Sequence, residues 1–270
     1  MAKIKKKEEF SSLKIVGKIL WFLIKIPYYI VKGFYNIINS STRLIEKKKV
    51  ERKREKMKPV YEEFNVVLEN EGDFHEWIEK VFNADSKIGV ILGARGSGKT
   101  AFGIKLLENF HAKHKKKCYA IGFHEDEMPS WIKVVSNVSE VGNDAFVLVD
   151  EGGVLFSSRE SMSSANKILS ELILIARHKN LSILFISQNS SNLEVNILRQ
   201  ADFLALKPSS LLQKEFERKI IQKMYDSASE DFIKFKSDPG LTYIYGDSFK
   251  GFISNKLPSF WGNKISKSFR

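Results

Sequence analysis

The 270-residue sequence holds one cysteine, Cys118, which excludes an intramolecular disulfide and a cysteine-rich four-ligand zinc site. So little use of the thiol suits a reducing compartment. Six prolines and 16 glycines are spread along the chain, and no Pro- or Gly-rich stretch marks a linker. Long apolar runs are also missing. The two in the greasiest stretch, Ile19–Ile24 and Ile26–Val31, are short, whereas a plain membrane span needs roughly 18–20 residues. Residues 61–270 lack a charge excess as well, with 27 Lys/Arg against 27 Asp/Glu. The first 60 residues hold 17 against 5, so the net charge of +12 sits there entirely. The main body therefore gives no sign of a broadly basic nucleic-acid coat. Hydrophobic residues at 43% and charged ones at 28% are ordinary for a folded chain.

The segment FSSLKIVGKILWFLIKIPYYIVKGFYNIINS, residues 10–40, is apolar but punctuated by lysines. Lys14, Lys18, Lys25 and Lys32 fall within roughly 40° of one another on a helix. The result is a narrow lysine stripe opposite a broad face of Ile, Leu, Phe, Trp and Tyr, the pattern of a helix lying in a bilayer interface. Pro27 is expected to kink it. Apolar residues from Ile15 to Phe34 favour insertion by roughly 5 kcal/mol and a central Lys25 opposes it by about 3 kcal/mol. The balance is slight, so the flanks decide. Both are positive, which draws both ends to the cytoplasmic side and favours a monotopic or re-entrant anchor. An amphipathic helix packed on this protein or on a partner is the alternative. The sequence thus divides into a membrane-associating segment (1–42), a basic helical linker (43–60) that can hold anionic headgroups, and a main domain (61–270) facing the cytoplasm.

The main domain opens with an apolar run, Ile88–Leu92, followed by Gly93, Ala94, Arg95, Gly96, Ser97, Gly98, Lys99 and Thr100. This fits G-x-x-x-x-G-K-[ST] between a strand-like run and a helical pattern over Ala101–Phe110. Glycines let such a loop wrap a phosphate, and the next helix presents its positive end. Lys99 is placed to reach the β- and γ-phosphates of a nucleotide, and Thr100 to ligate Mg²⁺. A second apolar run, Ala145–Val149, ends in Asp150 and Glu151. Asp150 is the candidate second Mg²⁺ contact, and Glu151 suits polarising an attacking water. A third run, Leu181–Ser187, ends in Gln188, which is either a γ-phosphate sensor or a turn residue. Between the last two runs lies the amphipathic helix Ala165–Arg177. Arg177 is either an inter-subunit finger or an ordinary charge at a helix C-terminus, and Arg199 competes for the finger role.

Together GARGSGKT, FVLVDEGG, IARHKNLSILFISQ and LEVNILRQADFLALK resemble the FtsK–HerA superfamily of P-loop ATPases. The branch they look most like is that of zonula occludens toxin-like and viral genome-packaging ATPases. The tail YIYGDSFKGFISNKLPSFW resembles that branch's terminal hairpin, so the likeness spans about residues 85–261. It implies a RecA-like (ASCE) α/β fold with a mainly parallel sheet flanked by helices. It also implies an extra strand between the phosphate-loop and Asp-Glu strands. It further implies a homo-oligomeric, usually hexameric, ring with ATP at its interfaces, acting on DNA. Glu151, Gln188 and Arg177 match positions used for hydrolysis, sensing and inter-subunit contact. The chain has no room for the accessory domains of cellular translocases, which favours a small viral or mobile-element motor.

Other features are open. The serine-rich segment Phe156–Asn166, with Arg159, reads as a pore loop or as a connector with a helix cap at Ser163 or Ser164. Phe216–Asp226 reads as an amphipathic helix. The leading expectation is a membrane-tethered ATPase that moves DNA for packaging, transfer or extrusion. The alternative is a nucleotide-dependent scaffold or switch, or an export ATPase with a capsid or secretion partner. Residues 1–60 are expected to confer binding to anionic liposomes that salt weakens. Equal sedimentation of the full chain and of residues 59–270 with such vesicles would refute this.

Overall fold

A computed structural model describes residues 21, 25, 28, 29, 32, 34–36, 38–158, 162–262 and 265. The chain divides into two compact units, Met1–Arg52 and Lys53–Arg270. The described residues of the first unit are all helical. Trp21, Tyr28, Tyr29, Phe34, Tyr35 and Ile38 are exposed there, and the Lys25 ammonium lies 3.5 Å from the centre of the Trp21 ring. Among the described residues, no helix is long and apolar enough to cross a membrane. Lys14, Lys18 and Pro27 lie outside them.

The second unit is built on one nine-stranded sheet. In chain order its strands are β1 (Asn65–Glu71), β2 (Ile88–Leu92), β3 (Lys117–Ile121), β4 (Ile132–Val134) and β5 (Ala145–Asp150). They are followed by β6 (Leu181–Ile186), β7 (Phe203–Leu206), β8 (Leu241–Gly246) and β9 (Lys250–Ser254). Across the sheet they run β1-β9-β8-β7-β2-β6-β5-β3-β4. From β7 to β4 every pairing is parallel. A central parallel strand is buried on both faces and reads as a nearly continuous apolar run, as IGVIL, AFVLV ahead of Asp150, and LSILFI with its one buried serine do. β6 pairs with β2 on one side and β5 on the other. The extra strand implied by the family resemblance is therefore in place, and the fold is α/β with a mainly parallel sheet.

The tail forms the expected hairpin, and it extends the sheet. β8 runs antiparallel to β7, β9 to β8, and β1 to β9. β1, which no sequence pattern had marked, thereby closes the edge.

Helices cover both faces. On one lie α2 (Phe74–Asn83) and α3 (Lys99–His114); Phe74, Trp77, Phe102, Leu106 and Phe110 pack with Ile91 and Phe146. On the other, α5 (Met162–Lys179), α6 (Val195–Gln200) and α8 (Lys219–Ser227) bring Leu169, Leu172, Ile197 and Ile221 against Val90, Val147 and Ile183. Several elements differ from their expected bounds. α3 continues to His114, past Phe110. α4 (Glu151–Ser158) and α5 occupy much of the segment read as a pore loop, and α5 begins at Met162, ahead of the expected cap. Arg159 lies outside the described residues. α7 (Leu211–Glu215) and α8 replace the single helix expected over Phe216–Asp226, because Phe216–Arg218 form the turn between them.

α3 is buried nearly all round, including its polar outer face. Two straps of chain cover it. Glu108, fully buried, accepts hydrogen bonds from the Val60 and Ser259 amides at 3.1 and 3.2–3.3 Å and from the Ser259 hydroxyl. Its other charged neighbour is Lys105, 3.2 Å away and 2% exposed, which also pairs with Glu62. Asn109 bonds both the amide and the carbonyl of Glu62. Removing one member of such a cluster strands the rest without water. Glu108→Ala is expected to cost about 3–5 kcal/mol, measured by urea unfolding of the full chain, while Lys105→Met combined with Glu108→Leu should cost distinctly less.

Candidate nucleotide site

The carboxyl ends of β2, β5, β6 and β7 lie side by side, and the loops that leave them form the site. β2 runs into the phosphate loop. Gly93 has φ 149° and its Cα faces Lys207: a Cβ there would approach the Lys207 Cβ to 2.6 Å. Gly98, at φ 87°, is the left-handed residue that turns the loop into α3. These two positions explain the glycines of the motif. Lys99 is the first residue of α3 and only 7% exposed. Its ammonium donates to the carbonyls of Gly93 and Ala94, both at 2.8 Å. Burial holds its pKa down at about 8, partly offset by the charges of Asp150 and Glu217. The Ser97 hydroxyl is buried with no partner among the described residues. An unsatisfied hydroxyl beside a buried ammonium in a loop of this shape is a place for an oxyanion. Arg95 is exposed, and Ala94 and Gly96 complete the turn.

β5 ends at Asp150, 6% exposed. Burial pushes its pKa up to about 6 against hydrogen bonds from the Gly153 and Gly152 amides and the charge of Lys99. Its Oδ2 lies 3.5 Å from Thr100 Oγ1. The pair suits magnesium, which takes hard oxygen ligands in an octahedron: neighbouring ligands about 2.1 Å from the ion stand about 3 Å apart. Among the described residues, no group of three or more His, Cys, Asp or Glu side chains could hold a metal. Thr100 and Asp150 are the side chains that would hold such an ion.

Glu151 opens α4 and is 5% exposed. Burial raises its pKa, opposed by hydrogen bonds from the Ser187 and Asn192 side chains. A raised carboxylate pKa brings a base closer to neutral working pH. Sequence reasoning did not find Ser187 and Asn192. It chose Gln188, one residue on, whose side chain is exposed while its carbonyl accepts from Gln213. Burial is the signal that separates them: Ser187 is 1% exposed. Arg177 and Arg199 are exposed at the ends of α5 and α6, and neither is brought to the phosphate loop among the described contacts.

Lys207, just after β7, is a further buried lysine that no motif announced. It donates to the Gly240 carbonyl at 2.8 Å and is 1% exposed. Together with Gly98, Ala101, Asp238 and Asn255 it lines an open cleft of about 1,060 Å³ beside the start of α3. Burial lowers its pKa to about 7, with the charge of Asp238 opposing. The sign of the effect on stability is fixed by linkage. Above pH 7 the folded chain has lost a proton that the unfolded chain keeps until about 10.4, so this group makes unfolding harder as pH rises. Lys207→Met should flatten the rise in unfolding free energy between pH 7 and 8, followed by urea titration at each pH. An unchanged slope would show that the lysine is charged throughout.

Comparison with known proteins places this geometry. Residues 102–204 match the family model described as Zonular occludens toxin (Zot). No curated protein matches the chain significantly. Among solved structures the chain is similar to B204, the DNA-packaging ATPase of Sulfolobus turreted icosahedral virus, at 14% identity over 65% of this chain and 99% of that one, with a TM-score of 0.43. It is similar to the genome packaging NTPase B204 of Sulfolobus turreted icosahedral virus 2 with ATP-gammaS, at 17% identity over 65% and 99%, with a TM-score of 0.41. A third likeness is to EssC (ATPases 2 and 3) from Geobacillus thermodenitrificans, at 12% identity over 78% of this chain and 49% of that one, with a TM-score of 0.41. The Zot match runs from α3 into β7 and takes in the Asp-Glu strand and the strand beside it, so it is this part of the P-loop core that is similar to Zot.

Proposed function

We propose that the chain is a Mg²⁺-dependent ATPase that works as a homo-oligomeric ring, tethered to a membrane by residues 1–42, and moves DNA. One observation carries the enzymatic part. Lys99, Thr100, Asp150 and Glu151 converge at one edge of the sheet, with Thr100 Oγ1 and Asp150 Oδ2 3.5 Å apart. The backbone amides of the loop and the positive end of α3 bind phosphate oxygens. Lys99 exchanges its two loop carbonyls for the β- and γ-phosphates. Thr100 and Asp150 would hold the metal, which when bound would supply charge neutralisation at the phosphates. Glu151, steadied by Ser187 and Asn192, takes the proton of the attacking water. The cleft beside Ala101 lies where the chain leaves room for ribose and base.

The DNA-moving part rests on the family resemblance of the motifs, and the membrane part on the lysine-striped helix and its basic flanks. Gln188, exposed after the carboxyl end of β6, belongs to the proposal as sensor, and Arg177, exposed at the end of α5 on the opposite edge of the sheet, as a finger that would reach a neighbouring subunit. A second reading is favoured by the balanced charge of residues 61–270: a nucleotide-dependent membrane switch or protein-export ATPase that leaves DNA alone.

Steady-state hydrolysis by the full chain, with and without double-stranded DNA across a salt series, separates the two. Several-fold stimulation supports the motor, and indifference to DNA in assembled protein supports the switch. Lys99→Ala should lose nucleotide binding. Glu151→Gln should bind ATP and hydrolyse it about 10²–10⁴-fold more slowly; hydrolysis at the parental rate would remove Glu151 from the mechanism.

A further inference from the structure

Glu217 sits in the turn between α7 and α8, far in sequence from every motif, yet it is 5% exposed. Its Oε2 accepts the Ser190 amide at 2.7 Å. Its Oε1 is buried and has no partner among the described residues. The next residue grips the same loop from another side. Arg218 donates its amide to Ser190 Oγ at 3.0 Å, its Nε to the Ser190 carbonyl at 3.0 Å and its Nη2 to the Leu193 carbonyl at 2.7 Å. Phe216 adds a carbonyl that accepts the Ser191 hydroxyl at 2.8 Å.

The loop held in this way is 187–193. Its two ends carry Ser187 and Asn192, the side chains that bond the Glu151 carboxylate. Ser187 is tied into the same loop through Asn189, whose carbonyl accepts its hydroxyl at 3.0 Å. Ser190, fully buried, is the midpoint. Moving it would move both partners of the water-activating group. Glu217 also lies within electrostatic reach of Lys99, being with Asp150 one of two carboxylates that act on that ammonium.

Resting on the hydrolytic reading above, we propose that Glu217 is a positioning residue for nucleotide hydrolysis: it fixes Ser190 so that Ser187 and Asn192 aim Glu151, acting from outside the phosphate-binding motifs. A buried carboxylate is an expensive way to hold one amide. Gln keeps an oxygen for the Ser190 amide, whereas Ala does not.

The test compares Glu217→Gln, Glu217→Ala and Arg218→Met in the full chain. Two readouts are used: kcat against nucleotide affinity, and hydrogen exchange at the amides of residues 187–193. Glu217→Ala is expected to lower kcat at least tenfold with nucleotide Kd within threefold of the parent, and to speed exchange at Ser190. Glu217→Gln should stay within threefold of the parent in kcat and keep the amide protected. Arg218→Met should reproduce the kcat loss without the loss of affinity, and it carries the test if Glu217→Ala does not fold. Parental kcat in Glu217→Ala, a matching fall in affinity, or a Gln variant as poor as the Ala variant would overturn the proposal. A parent chain that binds nucleotide but never hydrolyses it would overturn the hydrolytic reading instead, while unchanged exchange at Ser190 would overturn the positioning role by itself.

Discussion

Burial of Lys99 is the constraint around which the second unit is arranged. An ammonium taken from water needs compensation, and among the described residues Lys99 has no carboxylate within hydrogen-bond distance. Its partners are two carbonyls of its own loop, at Gly93 and Ala94. Those carbonyls point inward only because Gly93 and Gly98 take backbone angles that other residues resist. The loop is held from behind by Lys207, whose Cβ fills the space beside Gly93. The charge of Lys99 is balanced at longer range by Asp150 and Glu217. A phosphate entering the loop would meet a charge already desolvated and therefore strong.

The parallel strands make this arrangement possible. Parallel pairing of β7, β2, β6, β5 and β3 puts their carboxyl ends on one edge, so residues 93–100, 150–151, 187–193 and 207 become neighbours although up to 114 positions separate them in sequence. The antiparallel β8, β9 and β1 extend the sheet away from the site. They supply the walls of the cleft beside α3 through Asp238, Gly240 and Asn255.

Much of this was legible because it is local. The phosphate loop and the strand that ends in Asp150 and Glu151 are each written in a few consecutive residues, whereas the hairpin at 241–254 came from the family resemblance. The position of β6 between β2 and β5 came from the family resemblance, since no local pattern states strand order. The polar outer face of α3 was hidden for the opposite reason. Lys105, Glu108 and Asn109 look like a solvated face until residues 58–62 and 255–259 fold over them. Glu108 and Ser259 are 151 positions apart. Ser187 was passed over for Gln188 because both stand at the strand end, and only burial tells which one turns inward.

The knot on α3 has a mechanical side. Val60 and Glu62 are bonded to Glu108 and Asn109 by short contacts that lie next to one another along the helix that begins with Lys99. A pull on the chain at residue 57 would load these bonds together in shear rather than open them one at a time. The Trp131 indole, which donates to the Met57 carbonyl at 3.0 Å, shares the load at the point of entry. Tension from the N-terminal side would thus be delivered to α3 itself, two turns beyond Lys99.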